Sequence, residues 1–289
     1  MKTLVALSKE LIEQGVVAYI IGYAGKPDSP ELRPFIARTV ADAERLTFTE
    51  YAVNNLAVYL TRLAIPKEKK IGIVAKGCDV RSIINLIAEN QIARERVFII
   101  GVTCRGVAAD PREENAEKTL AAKCIPCELK TPHVCDELVT MDSQPQLRAS
   151  NTRAEQMARL REMGAAERFS FWQNEFSKCI RCYACRQVCP NCYCEQCVVD
   201  KTVPRWIESS STHRANYAWN ITRAFHQAGR CTGCGECDRV CPANIPLSLL
   251  NMQMGMVAMK EFQYKAGMNA EAPTLIGSYT MHDKEEFIK

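Results

Sequence analysis

The chain has 289 residues, 47% hydrophobic and 24% charged, with a formal net charge of +4 at pH 7. That composition excludes disorder along the whole chain, and the charge is too mild to argue for a nucleic-acid protein. The abnormal feature is 16 cysteines.

The N-terminus is charged again by Lys9 and has neither the apolar stretch nor the cleavage site of an export signal. No run approaches the roughly 18 apolar residues of a membrane span. The chain is therefore expected to be cytoplasmic, without a membrane span, and its thiols reduced. Clustered reduced thiols point to metal.

Residues 3–14 have helical spacing, with Gly15 as a stop. Residues 16–21 form a continuous apolar run suited to a buried strand. Pro27, Asp28, Ser29 and Pro30 mark a turn, and Phe35-Ile36-Ala37 a short strand. Residues 49–64 are predicted helical, with Tyr51, Leu56, Tyr59, Leu60 and Leu63 inward and Pro66 as the terminator. Strand 71–75, helix 79–92 and strand 97–102 make a βαβ unit, which implies parallel strands. Cys78 and Cys104 then lie just past the carboxyl ends of neighbouring strands, the edge where open α/β sheets bind ligands.

Residues 106–150 are less regular and contain Cys124, Cys127 and Cys135. Thr152 and Glu155 make a capping box for a helix over 152–163, closed by Gly164. An aromatic stretch, Phe169-Ser170-Phe171-Trp172, leads into the cysteine-rich segment, and Pro246 opens a helix over 247–261.

Eleven of the cysteines fall between Cys179 and Cys241. The runs Cys179-Ile-Arg-Cys182-Tyr-Ala-Cys185-Arg-Gln-Val-Cys189-Pro190 and Cys231-Thr-Gly-Cys234-Gly-Glu-Cys237-Asp-Arg-Val-Cys241-Pro242 share one pattern, C-x₂-C-x₂-C-x₃-C-P. In such runs three thiolates grip one cubane and the fourth reaches the other. One [4Fe-4S] cluster is thus expected on Cys179, Cys182, Cys185 and Cys241, and the other on Cys231, Cys234, Cys237 and Cys189. Gly233 and Gly235 permit the tight loop, and the fourth cysteine of each run is expected to start a helix. Zinc prefers two separated C-x₂-C pairs, which two full runs in tandem do not resemble.

Cys192, Cys194 and Cys197 lie in an insertion over 190–230. They could bind a further metal, replace a ligand or line a cluster; the reading taken is no separate site. Arg181, Arg186, Arg223, Arg230 and Arg239 could raise cluster potentials or dock an acidic partner, although a solvated face is the commoner role. Met252, Met254, Met256 and Met259 read as core filling rather than a partner surface.

Cys78, Cys104, Cys124 and Cys127 make a third possible set of four, because Cys124-Ile-Pro-Cys127 can grip a cubane. From the residues alone, lone buried cysteines acting as small hydrophobes explain Cys78 and Cys104 equally well. Lys76-Gly77-Cys78-Asp79 before a helix, Ile100-Gly101-Val102-Thr103-Cys104, and then Cys124-x-x-Cys127 resemble the beta subunits of coenzyme F420-reducing hydrogenases and the related formate dehydrogenase beta subunits. The resemblance covers roughly residues 10–145. It implies that these four cysteines hold a third [4Fe-4S] cluster, beside FAD. The stretch from Lys178 to Cys185 also resembles the ferredoxin part of relatives found with heterodisulfide-reductase-like complexes. Two features depart from the family pattern. The ferredoxin part follows the α/β part, and Leu46-Thr47-Phe48-Thr49-Glu50-Tyr51 stands where a Gly-Ser-x-Tyr segment is usual.

The expected architecture is an α/β domain over 1–150, a helical connector over 151–178, an α+β two-cluster ferredoxin-like domain over 179–242, and a C-terminal helix and docking tail over 243–289. The expected function is an electron-transfer subunit of a multi-subunit anaerobic oxidoreductase, with redox partners of hydrogenase, formate dehydrogenase or heterodisulfide-reductase-like type and no catalytic residues of its own. The alternatives are a flavin-bearing dehydrogenase subunit exchanging hydride with F420 or NAD(P), and an iron–sulfur nucleic-acid protein, against which the mild charge counts.

Overall fold

The computed structural model describes residues 2–26, 32–63, 69–109, 119–141, 147–149, 152–279 and 281–282. The turn at Pro27, Asp28, Ser29 and Pro30, the stop at Pro66 and the Thr152 side chain of the capping box lie outside the described residues.

Helix α1 (Leu4–Glu13) starts where the Ala6 amide donates to Thr3 Oγ1 (3.2 Å), and it buries Leu4, Leu7 and Leu11 on one face. Gly15 ends it in a left-handed conformation. Strand β1 (Val17–Ala24) is buried along most of its length and pairs antiparallel with β2 (Arg33–Ala37). A one-turn helix α2 (Val40–Ala43), capped by Thr39, follows. Strand β3 (Lys70–Ala75), helix α3 (Gly77–Ala88) and strand β4 (Val97–Val102) are the expected βαβ unit. Ile71 stands opposite Val97 and Ala75 opposite Gly101, so the carboxyl ends of β3 and β4 are level. A short strand β5 (Glu137–Val139) completes a five-stranded sheet of order β2-β1-β3-β4-β5. The β1–β3, β3–β4 and β4–β5 pairs are parallel.

The helix expected over 49–64 is only a 3₁₀ segment, Leu56–Thr61. Asn55 explains the late start: its Oδ1 accepts from the Ala57 amide (3.1 Å) and its Nδ2 donates to Ser82 Oγ (3.0 Å). Tyr51, Ala52, Val53, Leu56, Ala57, Val58 and Leu60 are all buried, so packing rather than an amphipathic period sets this segment. Helix α3 starts two residues before its expected position, because the Asp79 carboxylate accepts from the Lys76 amide (3.0 Å).

Among the described residues the rest of the chain is helices and loops. It comprises α4 (Thr152–Glu162), α5 (Ala165–Ser177), the one-turn α6 (Ala184–Gln187), α7 (His213–His226), the one-turn α8 (Glu236–Arg239) and α9 (Leu247–Phe262). The aromatic stretch lies on α5, where Trp172 stacks on Phe176 (centroids 5.3 Å apart) and Phe176 meets Tyr217 of α7 edge-on (5.8 Å). Gly164 is the N-cap of α5. Helix α7 lies in the insertion, where no element was expected.

Three expectations are corrected here. Among the described residues no strand follows β5, so the cysteine-rich part is helical rather than α+β. Its loops carry left-handed residues (Arg181, Tyr183, Gly233 and Gly235), which strands exclude. Cys189 and Cys241 follow the one-turn helices α6 and α8 and do not open helices themselves. Met256 and Met259 are exposed on α9, so core filling does not describe them.

The two halves interlock. Arg81 of α3 donates twice to the Ala266 carbonyl (3.0 and 2.7 Å) and once to that of Thr232 (3.0 Å). Ser82 and Thr232 share a hydrogen bond (2.9 Å), and Arg230 pairs with Glu89 (2.7 Å).

Candidate metal centres

The structure brings Cys179, Cys182, Cys185 and Cys241 around one small cavity, walled also by Tyr183, Trp219, Ile245 and Leu247. The loop between Cys179 and Cys185 is wound by left-handed Arg181 and Tyr183. Arg181 fixes it against α7: its guanidinium donates to the Ala215 carbonyl (2.9 Å) and the Glu208 carbonyl (2.8 Å), and faces the Tyr183 and Trp219 rings. Burial pushes the Cys185 thiol up, and Cys179, Cys241 and Cys182 add to the push. Cys182 is exposed, so this set reaches the surface.

Cys231 and Cys234 stand on the Gly233–Gly235 loop and Cys237 on α8. Burial raises all three thiols. Cys189, from the other run, adds to the shift at Cys231 and Cys234, so the fourth cysteine of the first run lies with the second. The fourth cysteine of the second run, Cys241, lies with the first.

Cys78, Cys104, Cys124 and Cys127 line a third cavity together with Lys76, Lys123 and Cys234. Cys78 is in the first turn of α3, Cys104 just past β4, and Cys124 ends a 3₁₀ turn, Ala122–Cys124. Burial pushes the Cys104 thiol up to about 11, and the Cys78 thiol also up. Gly77 lets the loop after Cys127 approach, since a Cβ there would lie 2.2 Å from the Leu129 carbonyl oxygen.

Cationic side chains sit among these thiols. Lys76, 2% exposed, pairs with Asp79 (3.0 Å) and donates to the Tyr23 hydroxyl (2.5 Å) and the Asn54 carbonyl (2.7 Å). Burial opposes its charge, but Asp79, Tyr23 and Cys78 hold it well above the ordinary lysine value. Arg223, 4% exposed, donates to the Cys185 carbonyl (3.1 Å). Burial opposes its charge too, yet Cys189, Cys192, Cys237 and Cys185 hold it well above the usual guanidinium value. Those partners come from both ferredoxin sets, so Arg223 lies between them.

Of Arg181, Arg186, Arg230 and Arg239 only Arg181 is buried. The others are held in ion pairs: Arg186 with Asp200 (2.8 Å), Arg230 with Glu89, and Arg239, at the surface, with Glu236 (2.7 Å).

Four cysteines lie outside the three sets. Cys135 packs against the backbone of Gly101 on β4, where an added Cβ would lie 2.9 Å from its own Cβ. Cys194 is exposed. Cys197 packs against the cluster of Val199, Ile207 and Trp219. Cys192 stands beside Cys189, a placement that the C-x₂-C spacing of these two residues signals and that the overlapping ferredoxin run conceals.

Among the described residues no three His, Cys, Asp or Glu side chains are close enough to hold one metal ion. Four soft thiols spread around a cavity, with buried cations behind them, fit an anionic iron–sulfur group larger than a single ion. No helix among the described residues is long and apolar enough to cross a membrane.

The 4Fe-4S dicluster domain family matches residues 175–245. The chain is 30% identical over 105 residues to the F420-dependent formate dehydrogenase subunit beta of Methanocaldococcus jannaschii, a match covering 36% of this chain and 27% of the relative. It is 26% identical over 106 residues to the F420-dependent formate dehydrogenase 1 subunit beta of Methanococcus maripaludis, covering 37% of this chain and 27% of the relative. The chain thus matches about a quarter of the length of these curated relatives. The resemblance carried by the cysteine motifs stands, for a chain that bears a 4Fe-4S domain.

Proposed function

We propose that the chain is an iron–sulfur electron-transfer subunit of a multi-subunit anaerobic oxidoreductase. It carries two ferredoxin-type [4Fe-4S] clusters, on Cys179, Cys182, Cys185 and Cys241 and on Cys231, Cys234, Cys237 and Cys189. A third is held by Cys78, Cys104, Cys124 and Cys127. The units are those of the sequence reading: residues 1–150, 151–178, 179–242 and 243–289. The protein works in the cytoplasm, and its partners are redox subunits of formate dehydrogenase, hydrogenase or heterodisulfide-reductase-like type.

One observation carries this reading: the three thiol sets adjoin in a row. Cys234 of the second set lines the cavity of the third. Arg223 joins the second set to the first. The second set is therefore the middle station, and exposed Cys182 marks the first set as an outlet to a partner. When bound, each cubane accepts and returns one electron. The protein's own residues hold the row together: Lys76, Lys123 and Arg223 offset negative charge, and the apolar walls exclude water. Anaerobic reductive titration of the chain is expected to take up about three electrons per molecule, one per cubane. Uptake of about two would remove the third centre, and uptake of none would end the reading.

A specific observation favours keeping the flavin reading beside it. A cleft of about 720 Å³ opens between the α/β part and α9, bordered by Cys78, Cys127 and Cys231 and by apolar Met252, Met256 and Met259. That volume suits an organic redox cofactor such as FAD. Release of FAD on denaturing the anaerobically purified chain supports this second reading, and its absence ends it.

A further inference from the structure

Cys192 belongs to neither ferredoxin run, yet one side-chain amide touches both its thiol and that of Cys189. The Cys189 thiol donates to Gln227 Oε1 (3.7 Å), and Gln227 Nε2 donates to the Cys192 sulfur (3.3 Å). The two thiols also lie close enough to shift each other's ionisation, Cys189 up and Cys192 down. The backbone locks the pair, because the Cys192 amide donates to the Cys189 carbonyl (3.2 Å). Gln227 Nε2 also donates to the Asn191 carbonyl (3.3 Å), and the buried Asn191 side chain donates to the Arg230 carbonyl (2.7 Å). Gln227 is 3% exposed and Asn191 is buried, while the two thiols are half-buried. The Arg223 charge acts on the Cys192 thiol, and its Nε has no hydrogen-bond partner among the described residues. A buried cation with a spare donor, set among thiols, suits an anionic sulfur group.

Cys189 and Cys192 are spaced as C-x₂-C, the spacing that brings two sulfurs to one iron–sulfur group. Cys194 and Cys197 share the C-x₂-C spacing but not these contacts: Cys194 is exposed, and Cys197 packs against the cluster of Val199, Ile207 and Trp219.

We propose that Cys192 is an alternative ligand of the second centre, able to take the iron that Cys189 holds. The inference rests on the reading that Cys231, Cys234 and Cys237 grip a cubane completed from the first run. In the exchange, the bond from Cys189 sulfur to iron breaks as the bond from Cys192 sulfur forms. The thiol proton passes from Cys192 to the neighbouring Cys189, both sulfurs lying against the Gln227 amide. No electron is transferred, and Gln227 can hold either sulfur, because its amide offers an acceptor to the protonated thiol and, beside the N–H given to the Asn191 carbonyl, a donor to the other sulfur.

The test uses the full chain purified without oxygen, with iron and acid-labile sulfide assayed in four forms: native, Cys189→Ala, Cys192→Ala, and both together. Each single variant is expected to keep the native iron content, and the double variant to lose about four iron per chain. Reduced Cys189→Ala should also show altered g-values at the second centre only. Loss of four iron from Cys189→Ala alone overturns the inference. Native protein lacking the second centre's signal overturns both the inference and the reading beneath it, which separates the two failures. Should Cys189→Ala not fold, Cys192→Ala decides by electron–nuclear double resonance on the reduced second centre. Loss of one exchangeable deuteron coupling present in native protein is expected, and identical spectra overturn the inference.

Discussion

Lys123 Nζ lies 3.3 Å from Glu236 Oε1, and this pair ties the loop of Cys124 and Cys127 to the loop of Cys234 and Cys237. Lys123 also donates to the Val53 carbonyl (2.8 Å), and Gly235 leaves room for its stem. Burial opposes its charge, but Glu236, Cys78 and Cys234 raise it above the ordinary lysine value. Lys123→Met leaves Glu236 with Arg239 alone. It is expected to cost about 1–3 kcal/mol in denaturant unfolding, less than a fully orphaned buried charge. It should lower the potentials of the second and third centres and leave the first unchanged.

Arg223 stands between the first and second sets, so its charge acts on both. Arg223→Met is expected to lower both ferredoxin potentials, by on the order of tens of millivolts, because a nearby positive charge favours the reduced, more negative cluster. The potential of the third centre should stay. Potentiometric titration with low-temperature electron paramagnetic resonance reads all three in one experiment.

The metal-free chain should lose stability in alkali. Burial raises the Cys104 thiol from 9.0 to about 11, and raises Cys78, Cys234 and Cys237 as well. The folded, metal-free chain thus favours the protonated thiol. The stability this contributes is complete below pH 9 and is lost as pH rises through about 11. For Cys104 alone the loss is about 2–3 kcal/mol. Iron removes these protons, so the loaded chain should not show this loss, and iron uptake should tighten as pH rises. Thermal unfolding of reduced, metal-free native and Cys104→Ala chains at pH 8 and pH 11 checks this: the native chain should lose more.

Gly77 faces the Leu129 carbonyl at a distance that leaves no room for a Cβ. Gly77→Ala is expected to cost about 1–3 kcal/mol by overpacking. It should also push away the loop carrying Cys127, two residues before Leu129. Iron content should fall toward that of a two-cluster chain, while the ferredoxin signals persist.

Much of the α/β part was legible in the sequence, because its signals are local. Leu4, Leu7 and Leu11 recur at helical spacing, and β1, β3 and β4 are apolar runs long enough to be buried strands. Segment 49–64 misled because residues 51–60 are mostly buried on more than one side, and Asn55, which caps Leu56–Thr61, is held by an α3 residue, Ser82, that no local pattern reveals. Helix α7 and strand β5 escaped for a related reason: each is held by partners distant in sequence. The grouping of the ferredoxin cysteines was legible from spacing. The position of Cys234 on the wall of the third cavity was not, since it depends on how α3 and the Thr232 loop dock through Arg81 and Ser82.

The most direct test of three centres in a row is the iron and acid-labile sulfide content of the anaerobically purified chain, compared with that of Cys104→Ala combined with Cys124→Ala. Three cubanes predict about 12 iron per native chain and about 8 in the double variant, with both ferredoxin signals retained. A native value of about 8 that the two substitutions leave unchanged would contradict the third centre, and zinc in place of iron would contradict the whole account.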